Sequence, residues 1–203
     1  MKPCMDLHGF LRSRRSIRRF HADPVPAELI DRILTTATFA PSAHNRQPWR
    51  FAVVSTASGR SRLSDSMALE YRRDLRADGM AAAQVEDLVE RSRARINAAP
   101  LVIVLCMDMS DMDTYPDPRR ANAERTMALQ SAANAGNTLL LAVHAEGLGG
   151  VWNCSPLFAP RAVSSALDLP SVWEPQALLL IGWPAETRAA PARKPVSTTT
   201  IFA

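Results

Sequence analysis

The sequence predicts an α+β fold, in which a central mixed or antiparallel sheet of four strands carries helices on both faces. Two runs, LVIVLCMD at 101–108 and LLLIGWP at 178–184, are continuously apolar and of strand length, so we expect them to be buried on both faces. The stretch 118–146 contains small and apolar residues all round its helical circumference. It therefore predicts a long helix that is buried on every side.

The remaining elements follow from apolar periodicity and from proline and glycine positions. A first helix is expected after Asp6 as N-cap, and a second after Pro26. A charged pair of helices that is only modestly apolar predicts a peripheral excursion at 58–98. The expected helices are 6–15, 26–40, 58–77, 81–98, 118–146 and 160–168, and the expected strands are 50–56, 101–108, 149–155 and 178–184.

The composition narrows the class of protein. With 203 residues, 47% apolar and 22% charged, the chain is expected to fold as a single domain over 1–203. No apolar run approaches the ~18 residues that span a bilayer, and the N-terminus does not resemble a secretory signal. Three cysteines without a CxxC pair argue against a disulfide framework and against a zinc site, so we expect a cytoplasmic protein without a membrane partner.

Two features predict a homodimer. The helix at 118–146 would be on the order of 40 Å long, which exceeds the needs of a monomer of this size. The tail at 196–202, VSTTTIF, favours a strand but has no obvious partner nearby in the sequence. We expect it to pair as a fifth strand with the sheet of a second copy.

The basic residues point to an anionic small ligand. Only Lys2 and Lys194 are lysines among 24 basic residues, and arginine binds phosphate and carboxylate groups through two donors. A coding bias toward arginine would explain the same count. The formal net charge is +4, but aromatics make up only 6% and most arginines alternate with acids, which argues against a nucleic-acid partner.

Two polar segments could carry chemistry. Residues 14–20, RRSIRRF, place four arginines and a serine just past a helix end, which suits a phosphate. Residues 40–51, APSAHNRQPWRF, form a stiff loop whose amides could pair with the edge of a flat heterocycle. Taken singly, the first could also be a solvated basic turn and the second a polar connection between a helix and a strand.

Taken together, the order RRSIRRF, a helix, then APSAHNRQPWRF resembles the nitroreductase family of FMN-dependent enzymes. The resemblance continues through HAEGLGGVW and the WEP…LLLIGWPAE…RKP series, and it covers nearly the whole chain. A closer likeness, in ALEYRRDLRADGM and DLPSVWEPQALLLIGWPAE, is to the flavin-binding C-terminal domain of the glutamyl ligase that completes the deazaflavin coenzyme. The ligase half has no counterpart here.

The resemblance implies a site at the interface of a homodimer that binds FMN and uses NAD(P)H as reductant. The phosphate and the pyrimidine edge would be held by Arg14, Arg15, Ser16 and Arg18, with a basic residue of the tail, Arg193 or Lys194. The partner's isoalloxazine would be contacted by Pro41, Ser42, Ala43, Asn45 and Gln47. Residues close to the reactive flavin nitrogen would be Trp152, Asn153, Cys154 and Ser155.

Substrate contacts are expected from His44, Tyr71, Arg72 and Trp152. His44, Cys154 and Trp152 depart from residues common at these positions in the family, which leaves the acceptor open. Trp152 could narrow the pocket or pack in the core, and Tyr71 and Arg72 could face an anionic substrate or belong to a solvated helix face. The four histidines show no metal-ligand spacing. His144 lies on the helix that is expected to be buried, so we expect it to be a hydrogen-bonded core histidine.

The implied function is hydride transfer from NAD(P)H through FMN to a nitroaromatic, a quinone or an unsaturated heteroaromatic. No catalytic side chain is expected, because the flavin carries the chemistry. Three alternatives remain: a specialised member of the family (a reductase of a deazaflavin precursor, a flavin-consuming enzyme or a dehalogenase), a non-catalytic flavin-binding module, and a basic nucleic-acid-associated protein.

Overall fold

A computed structural model describes residues 6–203 as six α-helices around one four-stranded sheet. The helices are α1 (Leu7–Ser13), α2 (Ala27–Ala37), α3 (Ala57–Ala77), α4 (Ala82–Asn97), α5 (Pro118–Ala145) and α6 (Pro160–Ala166). The strands are β1 (Trp49–Val54), β2 (Leu101–Asp108), β3 (Gly149–Asn153) and β4 (Trp173–Gly182). Cys4 lies outside the described residues. None of the helices in 6–203 is both long and apolar enough to cross a membrane.

The sheet has the strand order β1-β2-β4-β3, and all neighbouring strands run antiparallel. Strand β2 is buried along its whole length, because both faces of the sheet are covered. These features confirm the predicted α+β class. Strand β4 begins at Trp173, earlier than expected, because Pro175 argued against a strand at its first residues. Opposite this proline, the pairing of β2 with β4 shifts register between Leu105 and Cys106.

A backbone bridge joins the arginine segment to the sheet. Ser16 forms an isolated parallel bridge with Gly150, and the Ile17 N–H donates to the Gly150 carbonyl at 3.1 Å. Ile17 is buried, and a Cβ on Gly149 would come within 2.8 Å of its Cβ. Glycine at position 149 therefore lets the segment lie directly on the exposed edge of β3.

The expectation that residues 58–98 form a peripheral excursion was only half right. Leu63, Met67 and Ile96 belong to the main core cluster beneath the sheet, together with Val104 and Leu180. Their apolar positions are widely spaced among charged residues, so the sequence understated their burial. The outer part of the pair does form a small cluster of its own, from Ala68, Leu75, Val85 and Val89.

The expectation that α5 is buried on every side is wrong for the single chain. The helix packs one face on the sheet through Ala128, Ala132, Ala135 and Leu139. Its opposite face is exposed and polar, and carries Thr126, Gln130, Ala133, Asn134 and Asn137. Because most side chains on this exposed face are short, the sequence pattern did not distinguish it from the buried face.

Among residues 6–203, the C-terminal tail forms no strand. Val196–Thr198 forms one turn of 3-10 helix, while Ile201 and Phe202 are 91% and 93% exposed. The strand exchange predicted for 196–202 therefore stays a prediction about a second copy.

Candidate functional site

The arginine segment and the tail together form a recess of about 300 Å³, which we call the arginine recess. The Ala185 N–H donates to the Arg19 carbonyl and the His21 N–H to the Trp183 carbonyl, so the chain after β4 lies beside the segment. The recess is lined by Arg14, Arg15, Ser16, Arg18, Arg188, Ala189, Pro191 and Arg193. Five guanidinium groups thus face one small volume, which is the charge pattern of an anion site.

One carboxylate organises the rim of the recess. Glu186 accepts the Arg18 backbone N–H at 2.8 Å and pairs with the Arg188 Nη2 at 3.0 Å. These hydrogen bonds, that of Arg188 first, lower the pKa of Glu186 to about 2. The carboxylate is therefore ionised at neutral pH, but a single negative charge leaves the recess strongly positive.

A histidine lies beside the recess, in an adjoining cavity of about 310 Å³ that Arg14, Arg15 and Arg188 also line. The His144 Nε2 is 2.7 Å from the Ser13 Oγ, and its ring stacks on Phe10 at 4.9 Å between centroids. Burial, followed by the charges of Arg14 and Arg15, lowers the pKa of His144. The hydrogen bond was expected, but His144 is only half-buried and lines this cavity instead of packing in the core, and its position next to the arginines was not foreseen.

A third and larger cavity, of about 660 Å³, lies where β3 ends against α3 and α4; we call it the hairpin cavity. Asn153, Cys154 and Ser155 line it, and Tyr71 reaches it from α3. The Ser155 N–H donates to the Asn153 Oδ1 at 2.9 Å, which fixes the turn. Since Gly150 bonds the arginine segment and Asn153 ends the same strand, β3 links the two sites over about 10 Å.

Trp152 packs beneath this turn. Its ring lies against Gly136 and beside Leu105, where a Cβ on Gly136 would overlap it. Its Nε1–H donates to the Cys154 Sγ at 3.1 Å. The structure thus places Trp152 in the core, and the indole fixes the thiol of Cys154 at the mouth of the hairpin cavity.

Arg72 does not line the hairpin cavity, contrary to its expected role toward substrate. Its Nε and Nη2 both donate to the carboxylate of Glu86, at 2.9 and 2.8 Å. This pair joins α3 to α4, so the guanidinium has a structural partner. Tyr71, one residue earlier, faces the cavity instead.

The loop 41–48 lines none of these three cavities within the described chain. It docks on α5: the Ala43 N–H donates to the Ser131 Oγ at 3.1 Å, and the Asn134 Nδ2 donates to the Pro41 carbonyl at 3.4 Å. Ser42 accepts the Gln47 N–H at 3.2 Å. The predicted contact of this loop with a partner's flavin therefore stays a prediction.

Backbone strain concentrates in the same loop. His44, Asn45 and Gln47 all have φ near +50°, which is unfavourable for residues other than glycine. The Gln47 Nε2 donates to the Asn45 Oδ1 at 3.3 Å, so the two amides support each other. Strain of this kind is common at binding sites, where the surrounding structure holds it in place.

Sequence reasoning missed Arg188 and favoured Arg193 or Lys194 as the basic residue of the tail. Arg193 does line the arginine recess, whereas Lys194 does not. The sequence did contain one signal for Arg188: it lies two residues after Glu186, in the segment that follows the last strand, and a carboxylate at that spacing can hold the guanidinium in place.

The amino-acid sequence is similar to those of known proteins over most of its length. Residues 11–183 match the model of the nitroreductase family. The 5,6-dimethylbenzimidazole synthase of Rhodospirillum rubrum is 33% identical over 91% of this chain and 85% of its own length. The NADH dehydrogenase of Thermus thermophilus is 32% identical over 91% of this chain and 89% of its own.

Two solved structures show the same fold. A BluB-like flavoprotein from Clostridium difficile 630 superposes with a TM-score of 0.82 at 21% identity, over 98% of this chain and 100% of the other. A nitroreductase-type protein from Desulfovibrio desulfuricans in complex with FMN superposes with a TM-score of 0.74 at 25% identity, over 98% and 96% of the two chains. With the family model matched over most of its length, this chain belongs to the nitroreductase family.

Proposed function

We propose that this protein is an NAD(P)H-dependent oxidoreductase that reduces a small conjugated acceptor at the hairpin cavity. As a member of its family it is an FMN-dependent oxidoreductase. The observation that carries the proposal is the arrangement of the two sites: the arginine recess opens at one end of β3, and the hairpin cavity opens at the other. The hairpin cavity has the size of a ligand site and leaves room for an external acceptor.

The residues present fit FMN. Arg14, Arg15 and Arg18 offer paired donors to a phosphate, and the tail adds Arg188 and Arg193. Among residues 6–203, three side-chain atoms are buried without a hydrogen-bond partner: the Arg15 Nε in the recess, the Ser155 Oγ at the hairpin cavity, and the Arg60 Nε, which lines neither. Orphaned polar atoms are costly, so a ligand that completes their hydrogen bonds would be bound preferentially.

The protein's part in the reaction is binding and orientation. FMN, when bound, supplies the hydride chemistry between NAD(P)H and the acceptor. The arginine recess would hold the phosphate, and the Asn153–Ser155 turn would present its polar groups at the reactive edge. Tyr71 and the apolar walls of the hairpin cavity would hold the acceptor and exclude water. None of these roles needs a side chain that gains or loses a proton.

The proposal includes a homodimer in the cytoplasm. The exposed Ile201 and Phe202 of the tail are apolar side chains of the kind that a second copy would cover. The exposed face of α5 is polar, and its short side chains would let the same helix of a second copy approach closely. In a dimer the loop 41–48 would reach the partner's flavin, and Pro41, Ser42, Asn45 and Gln47 would then complete the site. His44 would face the acceptor from the same loop.

The test is the spectrum and turnover of the purified protein. We expect a flavin absorption spectrum, release of about one FMN per chain on denaturation, reduction by NADH or NADPH, and reoxidation by a nitroaromatic or a quinone in ping-pong kinetics. A colourless protein that also fails to bind added FMN would overturn the proposal. A bound flavin that neither nucleotide reduces would favour the non-catalytic flavin-binding module.

One relative favours a second candidate function. The Rhodospirillum rubrum relative is a 5,6-dimethylbenzimidazole synthase, which falls within the alternative of a specialised, flavin-consuming family member. Incubation of the protein with FMN and NADPH in air, without an added acceptor, separates the two candidates. Steady loss of FMN with formation of 5,6-dimethylbenzimidazole, identified by mass spectrometry, would support the second candidate; stable FMN supports the first.

A further inference from the structure

The walls of the hairpin cavity are chemically divided. Met67, Leu75, Leu88 and Phe158 provide apolar surface, and Tyr71 adds an aromatic ring. Apolar and aromatic walls of this kind fit the faces of a planar conjugated molecule. The charged groups that line the cavity are Asp74 of α3, Asp78 just after that helix, and Arg91 and Arg95 of α4. These four side chains therefore determine which charged substituents on the ring of a ligand are favoured.

Most arginines of the α3–α4 hairpin are already paired. Arg60 donates to two backbone carbonyls, and Arg72, Arg73, Arg76, Arg91 and Arg93 each contact a carboxylate. Within the part of the chain that the structure describes, only Arg62 and Arg95 of this hairpin make no hydrogen bond or ion pair. Of these two, only Arg95 lines the hairpin cavity. It is therefore the guanidinium that is free to bind a ligand there.

Cross-helix contacts show where Arg95 lies. The Arg93 Nε donates to the Asp65 Oδ1 at 2.8 Å, and the Asn97 Nδ2 donates to the Ser64 Oγ at 3.0 Å. The last turn of α4 therefore packs beside the first half of α3. Arg95, between these two contacts in sequence, lies at the end of the hairpin that is nearer the sheet.

The acids occupy the other end. Asp74 is in the last turn of α3, and Asp78 follows that helix directly at the tip of the hairpin, before Gly79. The cavity is thus positive toward the sheet and negative toward the tip. An acceptor with one anionic group would be held with that group at Arg95 and turned away from the two carboxylates.

We propose that Arg95 is a specificity-determining residue that selects acceptors carrying a carboxylate or sulfonate on an aromatic ring. This inference rests on the proposed function, because it takes the hairpin cavity as the acceptor site. Arginine is suited to the task, since its planar fork donates two hydrogen bonds to such a group. The side chain is exposed, so water screens part of the attraction and the expected discrimination is about ten-fold.

The test compares 4-nitrobenzoate with nitrobenzene in the intact FMN-loaded protein. We expect Arg95→Ala to lower kcat/KM for 4-nitrobenzoate by about ten-fold, mainly through KM, while nitrobenzene changes by less than about two-fold. The kcat/KM of Arg95→Lys for 4-nitrobenzoate should lie between that of the unaltered protein and that of Arg95→Ala. Arg62→Ala removes the same charge from the same hairpin outside the cavity, and it should leave the ratio of the two acceptors unchanged.

A second readout needs no turnover. Equilibrium binding of benzoate and of benzamide is measured by calorimetry in the same variants. Loss of preference for benzoate in Arg95→Ala alone supports the inference. Equal changes for both compounds, or equal effects of Arg62→Ala and Arg95→Ala, would overturn it. Absence of flavin or of nitroreduction in the unaltered protein would instead contradict the proposed function, and the binding comparison would still decide the role of Arg95.

Discussion

The arginine recess and the α3–α4 hairpin are both rich in arginine, yet their guanidinium groups have different partners. In the hairpin, Arg72, Arg91 and Arg93 are each held by a carboxylate. In the recess, Arg15 and Arg18 donate only to backbone carbonyls, and Arg188 alone has an ion-pair partner among residues 6–203. A count of arginines therefore does not distinguish the two regions, whereas the number of arginines without a carboxylate partner does.

The largest expected effect is loss of flavin from the recess. Arg14→Ala removes a guanidinium that lines both small cavities, and hydrogen bonds to a charged group contribute about 1.5–3 kcal/mol. We expect FMN to bind about 100-fold more weakly, measured by fluorescence titration of the apoprotein. Arg73→Ala is the matched control, since Arg73 is 69% exposed in the hairpin and pairs with Glu70. Full flavin retention in Arg14→Ala would remove the phosphate assignment.

The next effect tests how the recess is built. Gly149→Ala would place a Cβ within 2.8 Å of the Ile17 Cβ and push the arginine segment off the edge of β3. We expect a loss of about 1–3 kcal/mol in the free energy of unfolding and roughly ten-fold weaker FMN binding, because the arginines move with Ile17.

The control for this variant lies in the hairpin. Gly79→Ala imposes a side chain on a residue with φ +77°, in open space. It should cost about 1 kcal/mol of stability and leave FMN affinity unchanged. Equal FMN affinities in the two variants would show that the bridge between Ser16 and Gly150 does not position the recess.

The two regions also differ in how far the sequence predicted them. The structure brings Arg14, Arg15, Ser16 and Arg18 together around one recess, as expected for residues of one short motif, and their role toward a phosphate stays a prediction. Arg188 was missed because its role depends on Glu186 and on the path of the tail after β4. The strands β2 and β4 were predicted for a similar reason: continuous apolar runs are local signals.

The hairpin was predicted as two helices with nearly correct bounds, but its packing was not. Leu63 and Ile96 are separated by 32 residues and meet only in the folded core. The pairing of Arg72 with Glu86 likewise depends on the relative rotation of two helices. The helical period alone does not fix that rotation, and this is why Arg72 was assigned to substrate.

A smaller effect concerns acid stability at the rim of the recess. The hydrogen bonds from Arg188 and from the Arg18 backbone lower the pKa of Glu186 from its ordinary value of 4.5 to about 2. The ionised carboxylate therefore stabilises the fold above pH 4.5, and this contribution is lost as the pH falls from about 4.5 toward 2. Glu186→Gln should flatten the decrease of Tm over this interval. Parallel Tm curves for the two proteins would show that Glu186 does not hold Arg18 and Arg188 in solution.

The smallest expected effect tests how the positive charges of the arginine recess act on His144. Burial and the charges of Arg14 and Arg15 lower the pKa of His144 below the ordinary value of 6.5. The unfolded chain then binds a proton more readily than the folded one, so stability falls as the pH drops through 6.5. His144→Gln should reduce that slope in the flavin-free protein, measured as Tm between pH 7.5 and 5.5. Arg14→Ala should reduce this slope as well, because one of the positive charges that repel the protonated imidazole is removed.

The control for both variants is Arg73→Ala. The arginines that lower the pKa of His144 are Arg14 and Arg15, so removal of a hairpin arginine should leave the slope unchanged. An equal change in Arg73→Ala would mean that the net charge of the protein, and not the recess, lowers the pKa of His144.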